Sequence, residues 1–321
     1  MKLSNTYMSV SKSFKQTLLS QLLVIPVASA VFASSLQAAP SGASIVNGTV
    51  SIDRSIPGIT NITNSPNAII NWQNFSVNQN EITRFIQQSS QSAVLNRVIG
   101  ANPSQIMGQL LSNGQVMLIN PNGIVFGANS IVDTAGLIAS TLNLRNEDFL
   151  SGNYHFIAGS DAGDIDNQGI LRAGEDGNIM LIAPNIKNSG IISTEGGQIT
   201  LAAGEELTVT SLDNPRIAFQ VQAPDNDILN VGKILTEGGA AHLFANSITH
   251  SGEINANGIE VDEQGEIWLV ANDTVMLTED SIISTNNSVG DAGDIHLLGD
   301  NVGLLDQSEV SADGQTGGGE I

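Results

Sequence analysis

The chain has 321 residues, with 32 acidic against 11 basic side chains and a formal net charge of −21. Such a surface repels phosphate backbones and anionic lipid heads, which sets nucleic acid and peripheral membrane binding aside. Aromatic residues make up 4 %, Gly numbers 33 and cysteine is missing, so the composition disfavours helices and rules out disulfide staples.

At the N-terminus, Lys2, Lys12 and Lys15 precede an apolar stretch from Leu18 to Val24, then Pro26 and small residues. This is the order of a signal peptide, expected over residues 1–39 with cleavage between about 33 and 39. Without the three lysines, 8 basic residues face 32 acidic ones, a mature charge of −24. Nothing later in the chain is apolar enough to span a bilayer as a helix. The segment Ile45 to Ile52 reads as a strand able to cap the end of a sheet stack.

The most distinctive stretch follows: Asn96-Arg97-Val98-Ile99-Gly100, Pro103-Ser104-Gln105-Ile106-Met107-Gly108, and Asn113-Gly114 leading to Asn120-Pro121-Asn122-Gly123-Ile124. Physically the last group is a turn. Pro121 fixes φ at the second position, Asn122 tolerates the third, and Gly123 follows. A strand enters it from Val116 to Ile119 and another leaves it from Ile124 to Phe126.

The second half repeats a unit, Gly-x-Ile-x-Leu-x-(Ala/Gly). It begins at Gly177, Gly197, Gly265 and Gly293, with a weaker copy at Gly239. A second phrase recurs at Asn167-Gln168-Gly169-Ile170, Asn188-Ser189-Gly190-Ile191 and His250-Ser251-Gly252. The units are short, alternate apolar with other residues, and are bounded by Gly, Asn or Asp, as strands are. Repeats of this length predict an all-β, right-handed parallel β-helix with N-terminal capping strands and extra-helical hairpins. At roughly 24 residues per coil, the mature chain builds about 12 coils, a rod near 55 Å long. Ile179, Ile199, Ile267 and Ile295 form one inward stack, and Leu181, Leu201, Leu243, Leu269 and Leu297 the next. Met180, Thr200, His242, Trp268 and His296 point outward; Trp268 and Phe244 could be covered by a hairpin lying on the helix, but ordinary surface positions are the favoured reading. The wide gap between Gly197 and Gly239 hides one divergent turn and an excursion. Asp213 to Asp227, with two prolines, is expected to be an external hairpin or loop. The final Gly317-Gly318-Gly319-Glu320-Ile321 opens another unit, as in a truncated copy of something longer.

The ordered motifs resemble the secretion domain of two-partner secretion proteins, the filamentous haemagglutinin and high-molecular-weight adhesin group. Asn120 to Ile124 matches that family's secretion motif. Asn96, Arg97, Gly100, Pro103, Ser104, Gly108, Asn113 and Gly114 fall in its supporting run, and Ile69 to Val77 in an earlier element. The resemblance covers about residues 40–212, with residues 213–321 continuing the rod. It implies export through the Sec translocase, then recognition in the periplasm by the POTRA domains of an outer-membrane transporter barrel. The chain is threaded out unfolded and folds at the cell surface of a Gram-negative bacterium. The product is a secreted adhesin, a virulence factor meeting a host-cell or bacterial surface receptor. Whether residues 120–124 touch the transporter or only shape a coil stays open, since both roles give the same loss of secretion.

An enzyme is the rival class, because β-helices also host polysaccharide-acting enzymes. Candidate carboxylates are Asp161, Asp164 and Asp166. Asp161-Ala162-Gly163-Asp164-Ile165 recurs as Asp291-Ala292-Gly293-Asp294-Ile295, which favours coil-turn chemistry at equivalent points and a non-enzymatic reading. A delivery domain for a cytolysin or contact-dependent toxin is a third possibility. Asp262, Glu263 and Glu266 cluster, yet the calcium-binding nonapeptide loop is missing. His155, His242, His250 and His296 show no metal-ligand spacing, so no cofactor or metal is expected.

Overall fold

The computed structural model describes residues 39–210, 217–221, 223 and 225–321. The expected signal peptide and part of the Asp213–Asp227 segment lie outside the described residues. Among those described, no helix is long and apolar enough to cross a membrane.

The chain winds into a parallel β-helix with three strands to a full coil. The first face stacks Ala68–Trp72, Ala93–Val98, Gln115–Ile119, Gly136–Ser140, Ile179–Ala183 and Gln198–Ala203, and goes on through Ala240–His250, Glu266–Leu277 and Asp294–Leu298. The second face runs from Ser104–Ile106 through Ile124–Phe126, Ile165–Asn167, Ile186–Asn188 and Asp227–Asn230, and goes on through the latter halves of Ala240–His250 and Glu266–Leu277 to Asn301–Leu304. The third runs from Ile59–Asn64 to Glu309–Ser311 and carries ten strands of the helix proper. Among the described residues about ten coils therefore form, against the twelve expected. Two third-face steps are long, from Ile131 to Ile170 and from Ile191 to Lys233. Both lengthen because the chain leaves the helix between them.

The expected register holds residue by residue. Ile179 stacks on Ile199, then Ala241, Ile267 and Ile295, all buried. Leu181, Leu201, Leu243 and Leu269 are buried beside them, and Leu297 packs against the same core. Gln198 pairs directly with Ala240, so the Gly197–Gly239 gap holds an excursion and no extra turn. The anticipated N-terminal cap is two strands rather than one. Ser44–Asn47 and Val50–Asp53 flank a turn at Gly48, whose φ is +77°, and pair antiparallel with the first coil. That pairing occupies the raw edge of the stack.

The two excursions build one layer. Asn143–Leu144 and Tyr154–Ile157, joined by a short helix at Asn146–Ser151, leave one coil. Glu206–Val209 and Ile217–Val221 leave the helix two coils later. The four strands combine into one antiparallel sheet in that order. His155 Nε2 lies 2.7 Å from Glu206 Oε1, tying the excursions together. The predicted external hairpin thus starts earlier, at Glu206, and the 141–164 excursion has no counterpart in the sequence reading. Leu144, Phe149, Phe156, Leu207 and Val209 from this layer meet Ile69, Leu95, Met117, Ile119, Met180 and Ile182 from the outer side of the first face, forming a second hydrophobic core. Met180 and Thr200 are consequently buried, at 1 % and 0 % exposure, instead of lying on an ordinary surface.

A polar ladder runs inside the helix. Asn167 donates to Asn188 at 2.8 Å and Asn188 to Asn230 at 2.7 Å, and Asn230 Nδ2 lies 3.0 Å from His250 Nδ1. His250 Nε2 reaches the Ile282 carbonyl at 3.3 Å. All four side chains are fully buried, and each amide satisfies its neighbour, as buried polar groups require. Burial pushes the His250 pKa below its ordinary 6.5. After each rung comes a glycine. A Cβ on Gly190 would lie 2.1 Å from the Gly169 carbonyl, so no other residue fits the stack there.

Candidate functional site: the Asn-Pro-Asn-Gly-Ile turn

Asn120 ends the strand Gln115–Ile119 and opens the corner into Ile124–Phe126. Its side chain is fully buried and bonds in three directions. Nδ2 donates to the Asn102 carbonyl and to Ser104 Oγ, both at 3.0 Å, while Oδ1 accepts the Asn122 N–H at 3.0 Å. The last bond is an Asx turn superimposed on a β-turn, in which Gly123 N–H donates to the Asn120 carbonyl at 3.1 Å. Pro121 occupies the second turn position, where its fixed φ suits the bend and its carbonyl accepts from Gly163 N–H at 2.8 Å. Asn122 is exposed, and its Nδ2 donates to Asn120 Oδ1 and to the Gly100 carbonyl, each at 2.9 Å. Gly123 holds φ +111°, in the region that favours glycine. Ile124 is fully buried in the helix core.

The supporting residues converge on the same few coils. Asn96 faces inward, accepting the Trp72 indole N–H at 3.0 Å and donating to the Met117 carbonyl at 3.3 Å. Arg97 faces outward under the extra-helical layer. It donates to Asn146 Oδ1 at 2.6 Å and to the Leu144 carbonyl, clamping the start of the first excursion to the helix. Burial lowers its pKa from the usual arginine value, opposed by the charge of Glu147. Ser104 is the acceptor for Asn120, and Pro103 precedes it at the corner. Asn113 mimics a strand partner, with Oδ1 accepting Gln87 N–H at 2.8 Å and Nδ2 donating to the Gln87 carbonyl at 2.9 Å. Gly100, Gly108 and Gly114 sit where a Cβ would come within 2.0, 2.2 and 2.7 Å of neighbouring atoms. The structure thus brings Asn120, Asn122, Ser104 and Gly100 into direct contact. Arg97, Asn113, Gly108 and Gly114 serve other corners of the same coils.

The remaining candidates are dispersed. The Asp164 carbonyl accepts Ile124 N–H at 3.1 Å, and its carboxylate accepts from Asn185. Asp166 accepts from Gln168 at 2.7 Å, and Asp161 from Ser160 at 3.0 Å. The two Asp-Ala-Gly-Asp-Ile copies are not equivalent. Ile165 enters the second face and Ile295 the first, because the motif marks any tight corner before a strand. Glu263 Oε2 accepts the N–H groups of Ile259 and Glu260, whereas Glu266 accepts from Trp268, so these two carboxylates serve different local bonds.

A capped parallel β-helix carrying an extra-helical sheet, with an Asn-Pro-Asn-Gly-Ile corner locked by its own side chains, defines a capped solenoid module. The profile of the TPS secretion domain family matches residues 36–297, and the chain belongs to that family. It is the secretion domain of a two-partner-secreted exoprotein. The HMW1 secretion domain from Haemophilus influenzae superposes with a TM-score of 0.78 at 33 % identity, over 86 % of this chain and 84 % of that one. A heme/hemopexin-binding protein of Haemophilus influenzae is 28 % identical over 229 residues, 69 % of this chain and 25 % of the relative. A second heme/hemopexin-binding protein from that organism is 33 % identical over 144 residues, 44 % of this chain and 15 % of the relative. The chain thus spans a quarter or less of the length of these curated relatives.

Proposed function

We propose that this chain is the export address and first rod segment of a filamentous haemagglutinin-like adhesin. Sec delivers it to the periplasm, POTRA domains of a partner outer-membrane barrel recognise it, and it folds coil by coil outside the cell. The observation that carries the reading is the split character of the motif. Asn120 is fully buried and all its polar atoms are engaged, whereas Asn122 is exposed. A transporter can read Asn120 only before the coil closes, which fits a substrate threaded unfolded. We read the chain as non-enzymatic, since Asp161 and Asp166 are drawn into local turn bonds and Asp164 into a bond with Asn185 of the neighbouring coil.

Co-expression with a cognate barrel tests the route. The expected outcome is release into the medium with the barrel and retention without it. Equal release in both strains contradicts the proposal. The two curated relatives support a second reading at the level of the whole exoprotein, in which it captures haem or hemopexin. Pull-down of hemopexin by the full-length exoprotein, but not by adherence-blocking controls, would favour that cargo over an adhesin.

A further inference from the structure

The outward lane of the first face changes character along the rod. Ile69, Leu95, Met117, Ile138 and Met180 stack in register beneath the extra-helical layer. Past Thr200 the same lane continues as His242, Trp268 and His296, which are half-buried. Ring centroids lie 6.5 Å apart for His242 and Trp268 and 4.1 Å apart for Trp268 and His296, with Phe244 6.1 Å from His242. Glu266 accepts the Trp268 indole N–H and lies 3.5 Å from His242 Nε2, holding the rings in place.

His242, Phe244 and Trp268, with Ile217 on the outermost strand of the extra-helical sheet, border a groove of about 700 Å³, the size of a small-ligand site. Asp176 and Gln264 stand on its rim. Asp176 holds φ +54°, while the corresponding corners of the next two coils are Gly196 and Gly238, at +74° and +78°. Aspartate is among the few residues that tolerate this conformation, and here its side chain places a carboxylate at the groove.

Aromatic rings beside carboxylates and a carboxamide fit a ligand with apolar C–H faces and many hydroxyl donors. The acidic rim turns anions away. We propose that this groove binds a neutral oligosaccharide, with Trp268 as the contact ring and Asp176, Gln264 and Glu266 as hydroxyl acceptors. The proposal rests on the adhesin reading and supplies its ligand class.

The purified chain is applied to an array of immobilised neutral and sialylated oligosaccharides, and the strongest neutral binder is titrated in solution. The protein has two tryptophans, and Trp72 is fully buried, so a fluorescence change reports on Trp268. We expect selective binding of neutral glycans, protection of Trp268 from acrylamide quenching, and at least a tenfold loss of affinity in Trp268→Ala. Asp176→Gly keeps the backbone conformation and is expected to weaken binding about threefold or more with the fold intact. No binding across the array, a preference for sialylated glycans, or affinity unchanged in both variants overturns the proposal. Adherence of cells displaying the chain is scored separately. Adherence that persists while glycan binding is undetectable overturns the groove and keeps the adhesin. Glycan binding without adherence keeps the groove and removes the adhesin.

Discussion

The first and last coils share one inward design and differ on the outside. From Val94 to Ile295 the inner lane stays aliphatic and buried without interruption. The outer lane of the same strands is Ile, Leu, Met, Ile and Met as far as Met180, then Thr200, and afterwards His242, Trp268 and His296. The two excursions account for the change. Where they lie over the helix, the outer lane is part of a second core. Beyond their reach it is a half-buried surface with rings and charges. The inward lane of a solenoid is dictated by stacking alone, whereas the outward lane records what covers it.

Removing the cover is expected to have the largest effect. Phe156→Ala empties the centre of the second core and should cost about 3–5 kcal/mol in denaturant unfolding. A break in the internal ladder comes next. Asn188→Ala strands both Asn167 and Asn230 in the interior, an expected cost of about 2–3 kcal/mol with the secondary structure retained by circular dichroism. A matched pair of substitutions sharpens the contrast between the two regions. Ile182 and Val270 occupy the same outward lane, the first buried and the second half-buried. Ile182→Thr should lose about 1–3 kcal/mol, while Val270→Thr should stay within about 0.5 kcal/mol of the parent. Equal losses at the two sites would show that the cover does not differentiate them.

The smallest effect is expected from pH. His250 is held below its ordinary pKa of 6.5, so the unfolded chain takes up the proton first. Its contribution is complete above about pH 6.5 and fades as the pH falls toward the lower folded value. The melting temperature should decline over that window, and His250→Asn, which prolongs the asparagine ladder, should flatten the decline. A slope identical in parent and variant contradicts the assignment.

What the residues revealed in advance follows from the same physics. The Gly-x-Ile-x-Leu units gave the inward stacks in register because each coil repeats the same steric demand. The Asn-Pro-Asn-Gly corner was readable because Pro and Gly restrict a turn locally. The 141–164 excursion was not readable. Its strands, Asn143–Leu144 and Tyr154–Ile157, carry no repeat and find their partner at Glu206–Val209, some fifty residues on. For the same reason Met180 and Thr200 looked like surface. Asn230-Val231-Gly232 escaped notice as a copy of the Asn-x-Gly phrase, since an excursion separates it from its neighbour Asn188. The buried half of the secretion motif was equally hidden, because the partners of Asn120, the Asn102 carbonyl and Ser104, become neighbours only when the coil closes.

On the proposed route, residues 120–124 would address the chain to its transporter as well as shaping a corner. Asn122→Ala removes an exposed side chain and its bonds to Asn120 and Gly100, an expected loss of about 1 kcal/mol. The decisive measurement is barrel-dependent release of this variant beside its melting temperature after purification. The expected result is a fold close to the parent's and release reduced at least tenfold. Release at the parental level from a stably folded Asn122→Ala chain would contradict it, leaving the turn as a fold element alone.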